Sequence, residues 1–219
     1  MAQITFHSMA DSAYLWTAMH VADEKGVSYD FVPLEYRSPE HFRLHPFGKM
    51  PVLQHEDFFL YETAAIAHYI DKAFAGPPLQ PAGTREQADV IRWIGIVNSY
   101  VFPIMNRFMK ERLVKQAWGF EADQAFLDSA GEPLALQMRL IEEAVGRSGF
   151  LVGDSLTIAD SFLLPQVLFF AITPEGKALL EMAPAAADWL ARLRARPSFL
   201  RSPMRRVYDE MAKIKPRAA

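Results

Sequence analysis

A small α/β unit followed by an all-helical one is the fold class that this sequence predicts. Three observations predict it. Short extended and helical patterns alternate as far as Phe74. A stretch that neither helix nor strand survives, Gly76-Pro77-Pro78-Leu79-Gln80-Pro81-Ala82-Gly83, then interrupts the pattern. Beyond it apolar residues recur at helical spacing, and no convincing strand follows. The predicted boundaries are 1–76 for the first unit, 77–85 for the linker and 86–219 for the helical unit.

Each element has a local reason. Ile4 and Phe6 alternate with polar neighbours, as on a short strand. Residues 13–25 read as a helix that Gly26 closes. Tyr29, Phe31 and Val32-Pro33-Leu34 make a second strand, and Ser38-Pro39-Glu40 opens a short helix with a serine cap and a first-turn proline. Met50-Pro51-Val52-Leu53 and Phe58-Phe59-Leu60 are two more strands around His55-Glu56-Asp57. Ile66, Tyr69, Ile70 and Phe74 share one face of a third helix, which completes the order β-α-β-α-β-β-α. After the linker, residues 86–116 predict a long helix kinked at Pro103. Leu134, Met138, Ile141 and Val145 mark the next helix. Residues 158–172 are apolar all round, so their helix belongs at the centre of a bundle. Trp189-Leu190-Leu193 and Met204-Val207-Tyr208-Met211 supply the last two.

Composition narrows the function. Half of the 219 residues are apolar and 22% are charged, as in a globular protein that builds real cores. Cysteine is absent, which excludes disulfides, thiolate metal sites and a protein-thiol nucleophile; any sulfur chemistry must arrive with a ligand. The formal charge of −3 gives no pull toward nucleic acid or an acidic membrane. Arg201, Arg205, Arg206, Lys213, Lys215 and Arg217 read as a solvated helix face. No apolar run is long enough to span a bilayer and no signal-peptide pattern opens the chain, so a cytoplasmic location is expected. His41 and His45 are four apart, but Pro46 ends their helix and no third ligand is near; a metal site is not expected.

Residues 45–70 carry a more specific signal: His-Pro-Phe-Gly-Lys-Met-Pro-Val-Leu, then Phe-Leu-Tyr-Glu-Thr-Ala-Ala-Ile-Ala-His-Tyr-Ile. With the Pro-rich linker, Gly153-Asp154-Ser155-Leu156-Thr157-Ile158-Ala159-Asp160 and Arg196-Pro197-Ser198-Phe199, this resembles the cytosolic glutathione S-transferase family over essentially the whole chain. The resemblance implies a thioredoxin-like first unit that holds glutathione and a helical bundle that faces a second substrate. It also implies a cis bond at Met50–Pro51, with the Met50 backbone pairing strand-like with the cysteinyl part of glutathione. At Glu62-Thr63, where a strand gives way to a helix, unpaired amides favour an anion. The resemblance places the γ-glutamyl carboxylate there, beside the Thr63 hydroxyl, with Glu62 meeting the ammonium. It assigns the glycyl carboxylate to Arg37 and Lys49. Thr157 and Asp160 form a capping box, a structural role.

Activation of the sulfur is modest work. A free thiol titrates near ~8.5, and lowering that by two units takes about 2.7 kcal/mol. A hydroxyl donor to the anion contributes roughly 1.5–3 kcal/mol and a helix N-terminus up to about 1 kcal/mol. Ser12, in the turn before the first helix, stands where serine-type members of the family keep their catalytic serine. Ser8 and Tyr14 are competing donors in the same loop, and Ser12 also suits plain N-capping. Met9, Tyr14, Phe102, Met105 and Met109 are expected around a hydrophobic electrophile, since thioethers and aromatics suit irregular apolar guests. The resemblance further implies detoxification chemistry and a homodimer; Phe47 and Phe58 are candidate interface aromatics. The rival readings are a binding or interaction module with little turnover, or a glutathione-dependent isomerase or peroxidase.

Overall fold

The computed structural model describes residues 3–214. Lys215 and Arg217 of the basic set lie outside the described residues. Among the others, Arg205 pairs with Asp209 at 3.6 Å and Lys213 with Glu210 at 2.7 Å, as on a solvated helix. The chain divides into two compact units, one ending at Gln80 and one beginning at Pro81.

The first unit runs β1 (Ile4–Ser8), α1 (Ala13–Lys25), β2 (Tyr29–Pro33), α2 (Pro39–Leu44), β3 (Val52–His55), β4 (Phe58–Tyr61) and α3 (Thr63–Ala73). This is the order read from the sequence. The strands form one sheet in the order β2-β1-β3-β4, with β1 and β2 parallel and the other pairs antiparallel. Gly26 closes α1 in left-handed space, φ 72°, a backbone conformation that glycine adopts at less cost than residues with a side chain. Ser38 caps α2 by accepting the His41 N–H, and Pro39 sits in its first turn. Ile66, Ala67 and Ile70 bury one stripe of α3, which packs beside α1. Phe74 lies just past α3, where with Tyr69 it packs around the His55 ring.

A buried ion pair ties the end of α1 to α3. Lys25 Nζ lies 3.3 Å from Asp71 Oδ1, which also accepts the Leu79 N–H at 2.8 Å; Gln80 Nε2 reaches the other oxygen at 3.2 Å. Burial raises the Asp71 pKa, but the bonds from Leu79, Gln80 and Lys25 outweigh it and hold the carboxyl below its ordinary range. A carboxyl lowered in the folded state stabilises it above the unfolded pKa, roughly 3.9, and that contribution is lost as pH falls through the folded value. Chemical denaturation across pH should therefore give a stability that is flat toward neutrality and declines below about pH 4. Asp71→Asn should flatten that acid limb; an unaltered limb would assign it to other groups.

All the regular elements among the described residues of the second unit are helices. From Thr84 the chain stays helical to Ala117: α4 (Thr84–Ile96), π-helical turns over Val97–Asn106, α5 (Arg107–Met109), further π turns over Lys110–Val114, and α6 (Lys115–Ala117). The expected distortion at Pro103 takes this π form, because a proline lacks the N–H that an α-helical ladder requires. Then follow α7 (Gln124–Ser129), α8 (Gly131–Ser148), α9 (Ile158–Phe170), α10 (Pro174–Glu181), α11 (Pro184–Arg194), α12 (Pro197–Arg201) and α13 (Pro203–Met211). Every residue of α9 is buried, as its all-round apolar pattern requires, and α4 and α11 pack against it. The short helices α7, α10 and α12 add to the sequence reading. They are too brief to show a periodicity, although Asp123 caps α7 and Thr173 caps α10. No single helix among the described residues is long and apolar enough to cross a membrane.

Candidate active site

The register of the sheet assembles the site. His7, Val52 and Tyr61 stand side by side across β1, β3 and β4, and Ser8 is paired with Pro33 of β2. All four strands therefore present one end together. There β1 runs out into the Met9–Ser12 loop, β2 into the segment that bears Arg37, and β4 into Glu62-Thr63, while Met50-Pro51 enters β3. Residues far apart in sequence meet because the topology returns each to this edge.

The loop after β1 is held by its own main chain. Ser12 N–H donates to the Met9 carbonyl at 3.3 Å, and Trp16 Nε1–H donates to the Ala10 carbonyl at 3.0 Å. Ser12 caps α1, its Oγ accepting the Leu15 N–H at 3.3 Å. That bond uses a lone pair and leaves the hydroxyl hydrogen for another acceptor. The competing donors differ. Ser8 is buried and its O–H donates to the Met9 carbonyl at 3.1 Å. Burial and the Glu62 charge push the Tyr14 phenol up to about 12, so it is a weaker acid than an ordinary tyrosine. Met9 is exposed, and its N–H reaches Met50 Sδ at 3.2 Å, which brings the loop against the start of β3.

The Met50–Pro51 peptide is cis, as expected. Glu62, exposed and in left-handed space at φ 70°, occupies the N-cap position of α3 with no side-chain bond to the helix end. A non-glycine residue with positive φ is uncommon and concentrates at functional corners. The first-turn amides of α3 thus form an uncapped, partly positive edge beside the buried Thr63. Arg37 and Lys49 are both exposed at the same end of the sheet. The two are linked through His41, which is fully buried on α2: Arg37 N–H donates to its Nδ1 at 2.9 Å, and its Nε2 lies 2.8 Å from the Lys49 carbonyl. Both ring nitrogens are thereby engaged with backbone. In the sequence His41 stands out only by its four-residue spacing from His45. Its actual role was hidden because a backbone-bridging imidazole leaves no spacing signature.

In the helical unit, Phe102 is half-buried, and Met105 and Met109 are buried. That unit holds an apolar groove of about 730 Å³ along Trp93, Ile96, Tyr100, Pro133, Leu136 and Leu140; Phe102, Met105 and Met109 do not line it.

A sheet with these helices, a cis-proline at the start of β3 and an uncapped, strained helix entry after β4 defines a thioredoxin-like unit, here followed by a helical one. Comparison with known proteins carries this further. The family model described as glutathione S-transferase, N-terminal domain, matches residues 2–72, and its C-terminal counterpart matches residues 94–197. Among curated relatives, the probable glutathione S-transferase GSTF1 of Oryza sativa subsp. japonica is 30% identical over 81% of this chain and 82% of its own. Glutathione S-transferase 1 of Triticum aestivum is 30% identical over 82% and 84%. Among solved structures, maize glutathione S-transferase I in complex with an atrazine–glutathione conjugate superposes with a TM-score of 0.82 at 26% identity, covering 97% of this chain and 99% of that one. The chain belongs to the glutathione S-transferase family. It is a glutathione transferase, with glutathione as co-substrate.

Proposed function

We propose that this transferase works by the serine-type route, the Ser12 O–H stabilising the glutathione thiolate for attack on a small hydrophobic electrophile. The γ-glutamyl carboxylate sits on the first-turn amides of α3 and the Thr63 hydroxyl, and Glu62 meets the ammonium. The cysteinyl backbone pairs with Met50, ahead of Pro51, and Arg37 and Lys49 neutralise the glycyl carboxylate. Glutathione bears more negative than positive charge, and this balance of basic groups and helix-end amides suits it. Attack forms a carbon–sulfur bond and expels the leaving group of the electrophile with its electron pair. The thiol proton departs to solvent as the thiolate forms. Proximity supplies the rest of the rate. Met9 and Tyr14 on the first unit are the proposed apolar contacts for the electrophile; Met105 and Met109 are buried in the core of the second unit and are not among them.

The observation that carries this reading is the uncapped entry of α3, with Glu62 held at positive φ. It predicts that the γ-glutamyl group supplies much of the affinity. In calorimetric titrations, cysteinylglycine, which lacks that group, should bind at least about tenfold more weakly than glutathione, since each charge-assisted bond is worth roughly 1.5–3 kcal/mol. Thr63→Val should narrow the difference. Equal affinities for the two thiols would reject this corner as the anchor.

The chain is further proposed to act in the cytoplasm, in detoxification, as a homodimer. Exposed Phe47 and Phe58 on the first unit and the apolar groove of the second support the dimer, because apolar surface of this kind is commonly buried in an oligomer. Sedimentation equilibrium should report twice the chain mass, and a monomer at micromolar concentration would contradict it.

A further inference from the structure

From the bonds of His41 we infer that it is a positioning residue for glutathione, a neutral clamp that sets the direction of the main chain on both sides of the tripeptide's site. The inference rests on the binding mode proposed above and adds to it a residue that touches no substrate.

The argument starts from the tautomer. Nδ1 accepts the Arg37 N–H at 2.9 Å, so it carries no hydrogen. Nε2 must then be the protonated nitrogen, and it donates to the Lys49 carbonyl at 2.8 Å. The ring itself is fully buried, which limits the access of water to its two nitrogens. At one end, the clamp holds Arg37 in left-handed space at φ 60°, a conformation that a long side chain rarely adopts without support from its surroundings. The direction in which the exposed guanidinium leaves the backbone depends on that conformation. At the other end, the clamp fixes the Lys49 carbonyl. The Lys49–Met50 peptide is planar and trans, so its carbonyl and the Met50 N–H point in opposite directions. Fixing one aims the other. The Met50 N–H is a group that a strand-like ligand backbone would engage. One imidazole therefore places a basic side chain for the glycyl carboxylate and a backbone donor for the cysteinyl unit.

Three substitutions separate the two bonds. His41→Asn brings an oxygen to the place of Nδ1 and retains the Arg37 bond. His41→Gln brings an N–H to the place of Nε2 and retains the Lys49 bond. His41→Phe keeps the ring and loses both. Steady-state kinetics with a generic aryl halide electrophile should show KM for glutathione raised about tenfold or more in His41→Phe, with kcat and the KM for the electrophile within about twofold of the parent. His41→Asn and His41→Gln should fall between, each showing partial rescue. Calorimetry with S-methylglutathione, which binds but cannot react, should reproduce the order. A merely structural histidine would give a fall in kcat together with both KM values, and no advantage for Asn or Gln over Phe; that result overturns the inference. If His41→Phe does not fold, the Asn and Gln variants decide alone, and parental affinity in both overturns it. Thr63→Val and Lys49→Ala serve as controls on the site itself. If they leave glutathione affinity unaltered, the binding mode fails. If they weaken it while the His41 variants do not, only the clamp fails.

Discussion

Replacing Ser12 by alanine is expected to lower conjugation at neutral pH by about tenfold to a hundredfold while glutathione affinity stays within a few-fold of the parent. The range is the value of one hydroxyl bond to an anion, roughly 1.5–3 kcal/mol, expressed as rate. The physical route is the thiol pKa. Losing that bond lets the bound thiol drift back by about one to two units toward the ~8.5 of a free thiol, so less of it is ionised at pH 7. This has a diagnostic consequence: the defect should shrink as pH rises, because above the drifted pKa the thiol ionises without help. The ultraviolet absorbance of the bound thiolate, titrated in parent and variant, reads the shift directly. Ser12 also caps α1 through the Leu15 N–H, so the variant should lose about 1 kcal/mol of stability, which costs only a few degrees in Tm. That small loss cannot mimic a pH-dependent rate defect. Tyr14→Phe is the matched control. The Tyr14 phenol is pushed up to about 12, and it lies in the field of Glu62, so its removal should alter turnover by less than about threefold. A pH-independent defect in Ser12→Ala, or a larger one in Tyr14→Phe, would move the thiolate's donor elsewhere.

How much of this was legible in sequence depends on whether the cause was local. Gly26, Ser38 with Pro39, and the apolar run of α9 each settle a neighbourhood of a few residues, and each element formed where those residues indicated. The loop of Ser12, the Met50-Pro51 segment and Glu62-Thr63 were identified as motifs, but their convergence is a property of strand register, fixed by pairs such as His7 with Val52 and Val52 with Tyr61. No single segment encodes that row. The positive φ of Glu62 and Arg37 was equally hidden, since neither residue is one that favours left-handed space. Helices α7, α10 and α12 escaped because periodicity needs more turns than they have. His41 escaped for a different reason. In sequence it shows only a four-residue spacing from His45, which Pro46 argues against as a metal pair, whereas its chemistry is directed at two backbone groups, and backbone is the same in every sequence.

Asp160→Asn should be the most destabilising conservative substitution in the helical unit, at about 3–5 kcal/mol, or on the order of 10 °C in Tm. The Asp160 carboxylate is completely buried and accepts four bonds: from Leu151 N–H at 3.0 Å and Trp189 Nε1–H at 2.9 Å on one oxygen, and from Thr157 N–H and Thr157 Oγ1–H, both at 2.9 Å, on the other. Burial raises the pKa of this carboxyl, and the four bonds work against that rise. Asparagine has nearly the same shape but only one acceptor oxygen. Its amide hydrogens would face two donors, leaving them buried and unpaired, and such groups cost more than a lost bond contributes. The network also explains why the effect should spread. It joins the start of α9 to the preceding loop at Leu151 and to α11 at Trp189, so one atom change loosens three segments around the central helix. Trp189→Phe removes a single donor and should cost less; combined with Asp160→Asn, it should add less than its separate effect, because one of the two donor conflicts disappears. Thermal unfolding of the three variants measures both claims. A change within about 1 kcal/mol for Asp160→Asn, or strict additivity with Trp189→Phe, would show that the carboxylate is not the hub that holds α9 in place.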